Sequence, residues 1–156
     1  MQLSSDYKDI LRIFNEHKVR YLVVGAYAVS YYTEPRFTKD LDIWIEPAEK
    51  NAQNVFDALK VFGVPLKGIS SDDFTNKKLV YQIGVAPIRV DIITGLTGLN
   101  FANAWRNKKR VKYGNTTMNM IGIEELISSK KGIKRDQDKL DLKKLKRIKR
   151  RRSSVG

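Results

Sequence analysis

The chain contains no cysteine at all and a single histidine, His17. The first absence excludes a disulfide framework and a thiolate zinc site, and it fits a reducing compartment, so a cytoplasmic location is expected. The second excludes a histidine-rich metal centre. Any metal must be held by oxygen ligands, which points to magnesium, manganese or calcium. No run of 18 or more apolar residues occurs, so no membrane partner or span is expected. The N-terminus, Met1-Gln2-Leu3-Ser4-Ser5-Asp6, lacks a basic region leading into an apolar stretch and does not read as a secretory signal. Internal repeats and long linkers are missing too. At 156 residues and 42% hydrophobic content, the chain suits one domain with a real core.

Positive charge, by contrast, is abundant and unevenly placed. The formal net charge is +13. From Lys139 onward there are nine Lys/Arg and one acid, Asp141, so that segment carries +8 and the rest of the chain +5. Such a chain is drawn to polyanions, nucleic acid or phosphate-bearing ligands. For the tail itself, residues 149–156, a solvated and disordered segment is the equal alternative, and the folded domain is expected over residues 1–148.

Periodicity outlines the elements. Tyr7, Ile10, Leu11 and Phe14 have the spacing of a helix packed on a core. Tyr21 to Val24 reads as a short buried strand ending at Gly25, followed by a helix over Ala26–Tyr32. Leu41 to Ile45 is a second strand. Pro47 opens a helix whose buried stripe is Ala52, Val55, Phe56 and Leu59, with Gly63 placed to end it. Strands follow at Leu79–Ile83 and Ile88–Ile93, then a short helix at Phe101–Asn107. A hairpin, Arg110–Tyr113 and Thr116–Met120, turns at Gly114-Asn115. Helices over Ile123–Lys131 and from Asp136 or Asp138 close the chain, the last with Leu142, Leu145 and Ile148 inward. The order describes an α/β (α+β) domain around a mixed β-sheet flanked by helices.

The chemistry lies between Tyr21 and Ile45, and in one later strand. Asp40 and Asp42 are two apart at a strand start, so both point to one face while Leu41 and Ile43 point to the core. Two carboxylates so placed repel each other, and a hard divalent cation between them is the natural remedy. Alone, Asp-x-Asp is common on wet strand edges; its context gives it weight. Gly25 ends a strand directly before a helix, which leaves backbone N–H groups and a positive helix end facing outward for phosphate. A plain tight turn is the other reading of that glycine. A third acid, Asp91, lies inside the apolar strand Ile88-Arg-Val-Asp-Ile-Ile93, where an unpaired charge is costly. Two partners are conceivable for it: Arg89, on the same face at i−2, or a metal shared with Asp40 and Asp42. Trp44 shares the face of Asp42 and is the best of the nearby aromatics for stacking on a base.

The apolar strand, Gly25-Ala26, Arg36-x-Thr38-x-Asp40-x-Asp42 and the later Asp91 together resemble the nucleotidyltransferase superfamily that includes DNA polymerase beta. The chain is most similar to its small bacterial AbiEii-type and minimal members. Ile121-Gly-Ile-Glu-Glu-Leu-Ile-Ser-Ser-Lys-Lys131 and Arg135-Asp-Gln-Asp-Lys-Leu-Asp141 resemble the closing helices of that group, so the likeness runs from about Tyr7 to Ile148. The resemblance implies a nucleotidyltransferase fold and transfer of a nucleoside monophosphate from an NTP to an acceptor hydroxyl on RNA, a protein or a small molecule. It implies Mg2+ (or Mn2+) on Asp40, Asp42 and Asp91, which are also the catalytic residues. Gly25 and Ala26 would offer N–H groups to the phosphates. Arg36, Thr38, Lys130 and Lys131 are the other nucleotide-binding candidates. RNA such as tRNA, a helical partner protein of the toxin–antitoxin kind, and a second copy of the chain are the partners it suggests. A partner-dependent or non-catalytic nucleotide- or nucleic-acid-binding component of such a pair is the alternative function. Two positions depart from the family pattern. Ala26 stands where Gly or Ser is usual and has no hydroxyl for phosphate, and Lys134-Arg135-Asp136 stands where Gly-Arg-Pro is usual.

Overall fold

The computed structural model describes residues 5–35, 40–85, 88–131 and 135–155. Six strands form one sheet in the order β3-β4-β2-β1-β6-β5. They are β1 (Tyr21–Val24), β2 (Asp40–Ile45), β3 (Val80–Val85), β4 (Ile88–Ile93), β5 (Lys109–Tyr113) and β6 (Thr116–Met120). β2 runs parallel to β4 and antiparallel to β1, and β1 runs parallel to β6; the outer pairs β3–β4 and β5–β6 are antiparallel hairpins. The mixed sheet flanked by helices is the expected class.

The helices are α1 (Ser5–Glu16), α2 (Gly25–Tyr32), α3 (Glu49–Phe62), α4 (Phe101–Arg106), α5 (Ile123–Lys130) and α6 (Asp136–Val155). α1 and α3 pack against each other beneath one sheet face. Phe14 of α1 meets Tyr21 of β1 edge-on, with ring centroids 5.8 Å apart. Leu41, Ile43 and Ile45 are fully buried. These are the alternate positions of β2, so its other face carries Asp40, Asp42 and Trp44. α3 stops at Gly63, whose φ of +97° provides the left-handed cap that a side chain would resist.

Most element edges fall within a residue or two of expectation. Two features differ. A 3-10 turn at Ser71–Thr75 has no counterpart in the periodicity: it is closed by a reciprocal Ser70–Asp73 cap and anchored by the buried Phe74, a single apolar residue without a repeating pattern around it. The second is α6, which continues through Val155, so the segment from 149, expected to be disordered, has helical backbone. Charge suggests a solvated coil, but Leu145 is fully buried, Lys144 bonds Glu34 at 2.6 Å and Lys149 bonds Glu124 at 2.9 Å, which tie the helix down past its middle. Among the described residues, no helix is long and apolar enough to cross a membrane.

Candidate metal and nucleotide site

Two neighbouring strands bring the carboxylates together. In the parallel β2–β4 ladder, Asp42 lies opposite Asp91 and Asp40 opposite Arg89. Across the other edge of β2, Asp42 lies opposite Val24, the residue before Gly25. The chain therefore returns beside its starting point in the fifteen positions from Gly25 to Asp40. Asp40, Asp42 and Asp91 each offer a carboxylate oxygen within 4.8 Å of the others.

Gly25 serves as more than a turn. Its φ is +69°, a region side chains avoid, and a Cβ there would collide with the Asp42 carboxylate. The glycine thus admits the Asp42 oxygens to the uncapped first turn of α2, which begins at Gly25 itself. Gly25→Ala protein is expected to lose about 2–4 kcal/mol of stability from strain and collision. It should also lose the metal response of the site; thermal melts with and without Mn2+ check both effects.

Of the two partners conceived for Asp91, Arg89 is in place, and Asp40 and Asp42 stand where a shared ion would need them. Arg89 donates to Asp91 through Nε (to Oδ1, 3.0 Å) and Nη2 (to Oδ2, 2.8 Å), a two-pronged clamp, and its Nη2 stands 3.9 Å from Asp40. Each carboxylate oxygen has two lone pairs, so this clamp orients Asp91 and leaves it able to ligate. Tyr7 of α1 donates its hydroxyl to the Arg89 carbonyl at 3.2 Å, which ties α1 to β4. Nothing in the sequence around Tyr7 signals that bond.

One guanidinium does not neutralise three acids. Burial, then the charges of Asp40 and Asp91, push the Asp42 carboxyl up to about 7, against the opposing pull of Arg89 and Lys130. An acid so displaced marks a local excess of negative charge in a poorly solvated place. Three hard oxygen donors with that excess fit a divalent ion such as Mg2+ or Mn2+, and contain nothing a soft metal would prefer.

The remaining candidates are placed as follows. Ala26 is in the first turn of α2, beside Gly25. Lys130 is in the last turn of α5, its Nζ 2.7 Å from Asp138 Oδ1 and 3.6 Å from Asp141 Oδ2, while its charge still reaches Asp42. Lys131 follows the helix and is exposed. Arg36 and Thr38 lie outside the described residues. The expectation for Trp44 is corrected: it is 1% exposed and its ring meets Phe101 edge-on at 5.1 Å, so it is core and not a platform for a base. A cavity of about 670 Å3 opens beyond it, lined by Trp44, Glu46, Thr94, Leu99, Asn100 and Phe101, and none of the three carboxylates lines it.

The fold is that of a nucleotidyltransferase-like protein, and the acidic cluster is consistent with it. The chain belongs to the family described as nucleotidyl transferase of unknown function (DUF2204), whose model matches residues 3–155. Two solved structures share its fold. One is the lincosamide antibiotic adenylyltransferase LnuA with lincomycin bound, 19% identical, with a TM-score of 0.56 over 95% of this chain and 99% of that one. The other is a proposed nucleotidyltransferase of Thermotoga maritima, 16% identical, with a TM-score of 0.53 over 99% of this chain and 95% of that one. No curated protein matches the sequence.

Proposed function

We propose that this protein is a metal-dependent nucleotidyltransferase that moves a nucleoside monophosphate from an NTP to an acceptor hydroxyl, and that it is akin to the small AbiEii-type and minimal members of the superfamily. The observation that carries the reading is the convergence of Asp40, Asp42 and Asp91 beside the glycine-led start of α2. Asp40 and Asp42 would hold the ion that carries the triphosphate, and Asp91 would join them at a second ion and help to activate the acceptor hydroxyl. Ions bound there supply charge neutralisation on the triphosphate and pyrophosphate and a lowered pKa for the acceptor hydroxyl.

The chain's own groups do the rest. In the transfer, the acceptor oxygen bonds to the α-phosphorus, the bond to the β-phosphate breaks, pyrophosphate leaves and the hydroxyl proton is released. Such chemistry asks for positioning and charge rather than a covalent nucleophile. Backbone N–H groups at Gly25 and Ala26 cradle the phosphates; the missing hydroxyl at Ala26 leaves that task to the main chain. Arg89 positions Asp91. Lys130 moderates the acidic field, and Lys131, Arg36 and Thr38 are the further candidates for binding phosphate. A cytoplasmic setting, where NTP and Mg2+ are plentiful, suits this chemistry.

The test is incubation with each α-labelled NTP, Mg2+ or Mn2+, and total RNA or cell extract, alongside Asp40→Ala/Asp42→Ala protein. Label transferred by the native chain alone supports the reading. Metal-dependent NTP binding without transfer favours a component that needs a protein partner. Binding and transfer both indifferent to metal would overturn the catalytic reading.

A further inference from the structure

The charge that this chemistry leaves unused lies on α6. At 100° per residue, Lys139, Lys143, Lys146, Arg147 and Arg150 fall within an arc of about 100°, and all five are exposed. They extend over three turns, roughly 16 Å of helix. The opposite arc holds Asp138, Asp141, Leu142, Leu145 and Ile148, of which Asp138, Asp141 and Leu145 are buried. Asp136, in the first turn, is the one exposed acid of α6 among the described residues. Outside that arc, Lys144 bonds Glu34 and Lys149 bonds Glu124.

Like charges repeated at i, i+4 along one line repel one another. The helix dipole compensates cations only in the last turn, so it does not account for Lys139, Lys143 or Lys146. Solubility needs no such alignment. A polyanion laid along the line would relieve the repulsion. The stripe also lies near the carboxylates. The first turns of α6 are bound to Lys130, whose charge reaches Asp42. Lys144 bonds Glu34, which precedes Asp40 by six residues, so those two Cα atoms are at most about 20 Å apart.

We infer that the outer face of α6 is a docking track for an RNA phosphodiester backbone, which brings an RNA hydroxyl to the carboxylate site. Docking itself stands on the charge geometry; only the acceptor role rests on the nucleotidyltransferase reading. A membrane surface fits less well, because an interfacial helix needs an apolar face to insert, and among the described residues α6 exposes one large apolar side chain, Leu140, while Leu145 is fully buried.

The experiment measures binding of a fluorescently labelled single-stranded RNA and a hairpin RNA to the full chain by anisotropy over a range of salt. It compares native protein with Lys143→Gln/Lys146→Gln/Arg147→Gln/Arg150→Gln and with a charge-matched control, Lys50→Gln/Lys67→Gln/Lys77→Gln/Lys78→Gln. Circular dichroism checks that both variants are folded. The stripe variant should bind at least about tenfold more weakly, with a salt slope lower by about 0.7 for each phosphate no longer neutralised, and the control should stay within about threefold of native. Equal weakening in both variants, no RNA binding by native protein, or tighter stripe-dependent binding to phosphatidylserine vesicles than to RNA would overturn the inference. Asp40→Ala/Asp42→Ala protein should keep its RNA affinity. If it does while the native chain transfers no nucleotide, docking stands and the transfer reading falls.

Discussion

Asp42→Asn protein is expected to melt higher than native protein at pH 8 while losing essentially all metal-dependent activity. The two effects have one source. In the metal-free fold the Asp42 carboxyl is pushed up to about 7 from 3.8, first by burial and then by Asp40 and Asp91. A raised carboxyl binds its proton more tightly folded than unfolded. Stability therefore falls as pH rises from about 4 to about 7, and the full penalty is present above that range. Asparagine removes the charge and with it the penalty, on the order of 1–3 kcal/mol, or roughly 3–10 °C in Tm for a chain of this size. The gain should shrink as pH falls toward 4. The same proton competes with a cation, so metal affinity of the native chain should tighten as pH rises through about 7. Asparagine cannot replace the charged ligand, and a loss of at least about a thousandfold in transfer is expected. Differential scanning calorimetry at pH 5 and pH 8, with and without Mn2+, checks the stability arm.

Lys130→Met should have the largest effect on folding. The ammonium is 11% exposed and sits between Asp138 and Asp141, whose side chains are 3% and 1% exposed. Burial pushes Asp138 up, but its bonds to Lys130 and Arg135 outweigh that and hold it below the usual range. Without Lys130, Asp138 keeps the exposed Arg135 at 2.6 Å and Asp141 keeps the Gln137 amide at 2.8 Å, so two buried carboxylates lose their buried cation. Breaking a buried pair from one side costs about 3–5 kcal/mol, which lowers Tm by roughly 10 °C or more. Replacing all three, Lys130→Met/Asp138→Leu/Asp141→Leu, should restore most of that loss, since the cost comes from stranded charge. Urea melts of the single and triple variants distinguish this from simple loss of packing.

Much of this site is legible in local pattern, because strand alternation is a two-residue rule. Asp40 and Asp42 have to share a face, whereas Gly25 before a helix reads equally as a plain tight turn until the Asp42 carboxylate is seen against it. The pairing of Asp42 with Asp91 cannot be read that way. It depends on a parallel crossover between β2 and β4, and nothing local in either strand states the register. Arg89 is visible at i−2 from Asp91, and the ion pair does form; the same carboxylate also stands within ligand distance of Asp40 and Asp42, a proximity that no local pattern states. Trp44 misleads for the opposite reason. Alternation places it on the correct face, but its burial is decided by Phe101, far along the chain. In α6, charge density points to coil while the spacing of Leu142, Leu145 and Ile148 points to helix, and packing follows the spacing.

The central claim is that Asp40, Asp42 and Asp91 form a divalent-metal site. Titration of the native chain with Mn2+, followed by electron paramagnetic resonance of the free ion at pH 8, tests it most directly. The account predicts saturable binding in the native chain, strengthened by NTP, and its loss in Asp42→Asn and Asp91→Asn proteins that remain folded. Binding unchanged in those variants, or none in the native chain with NTP present, would contradict it.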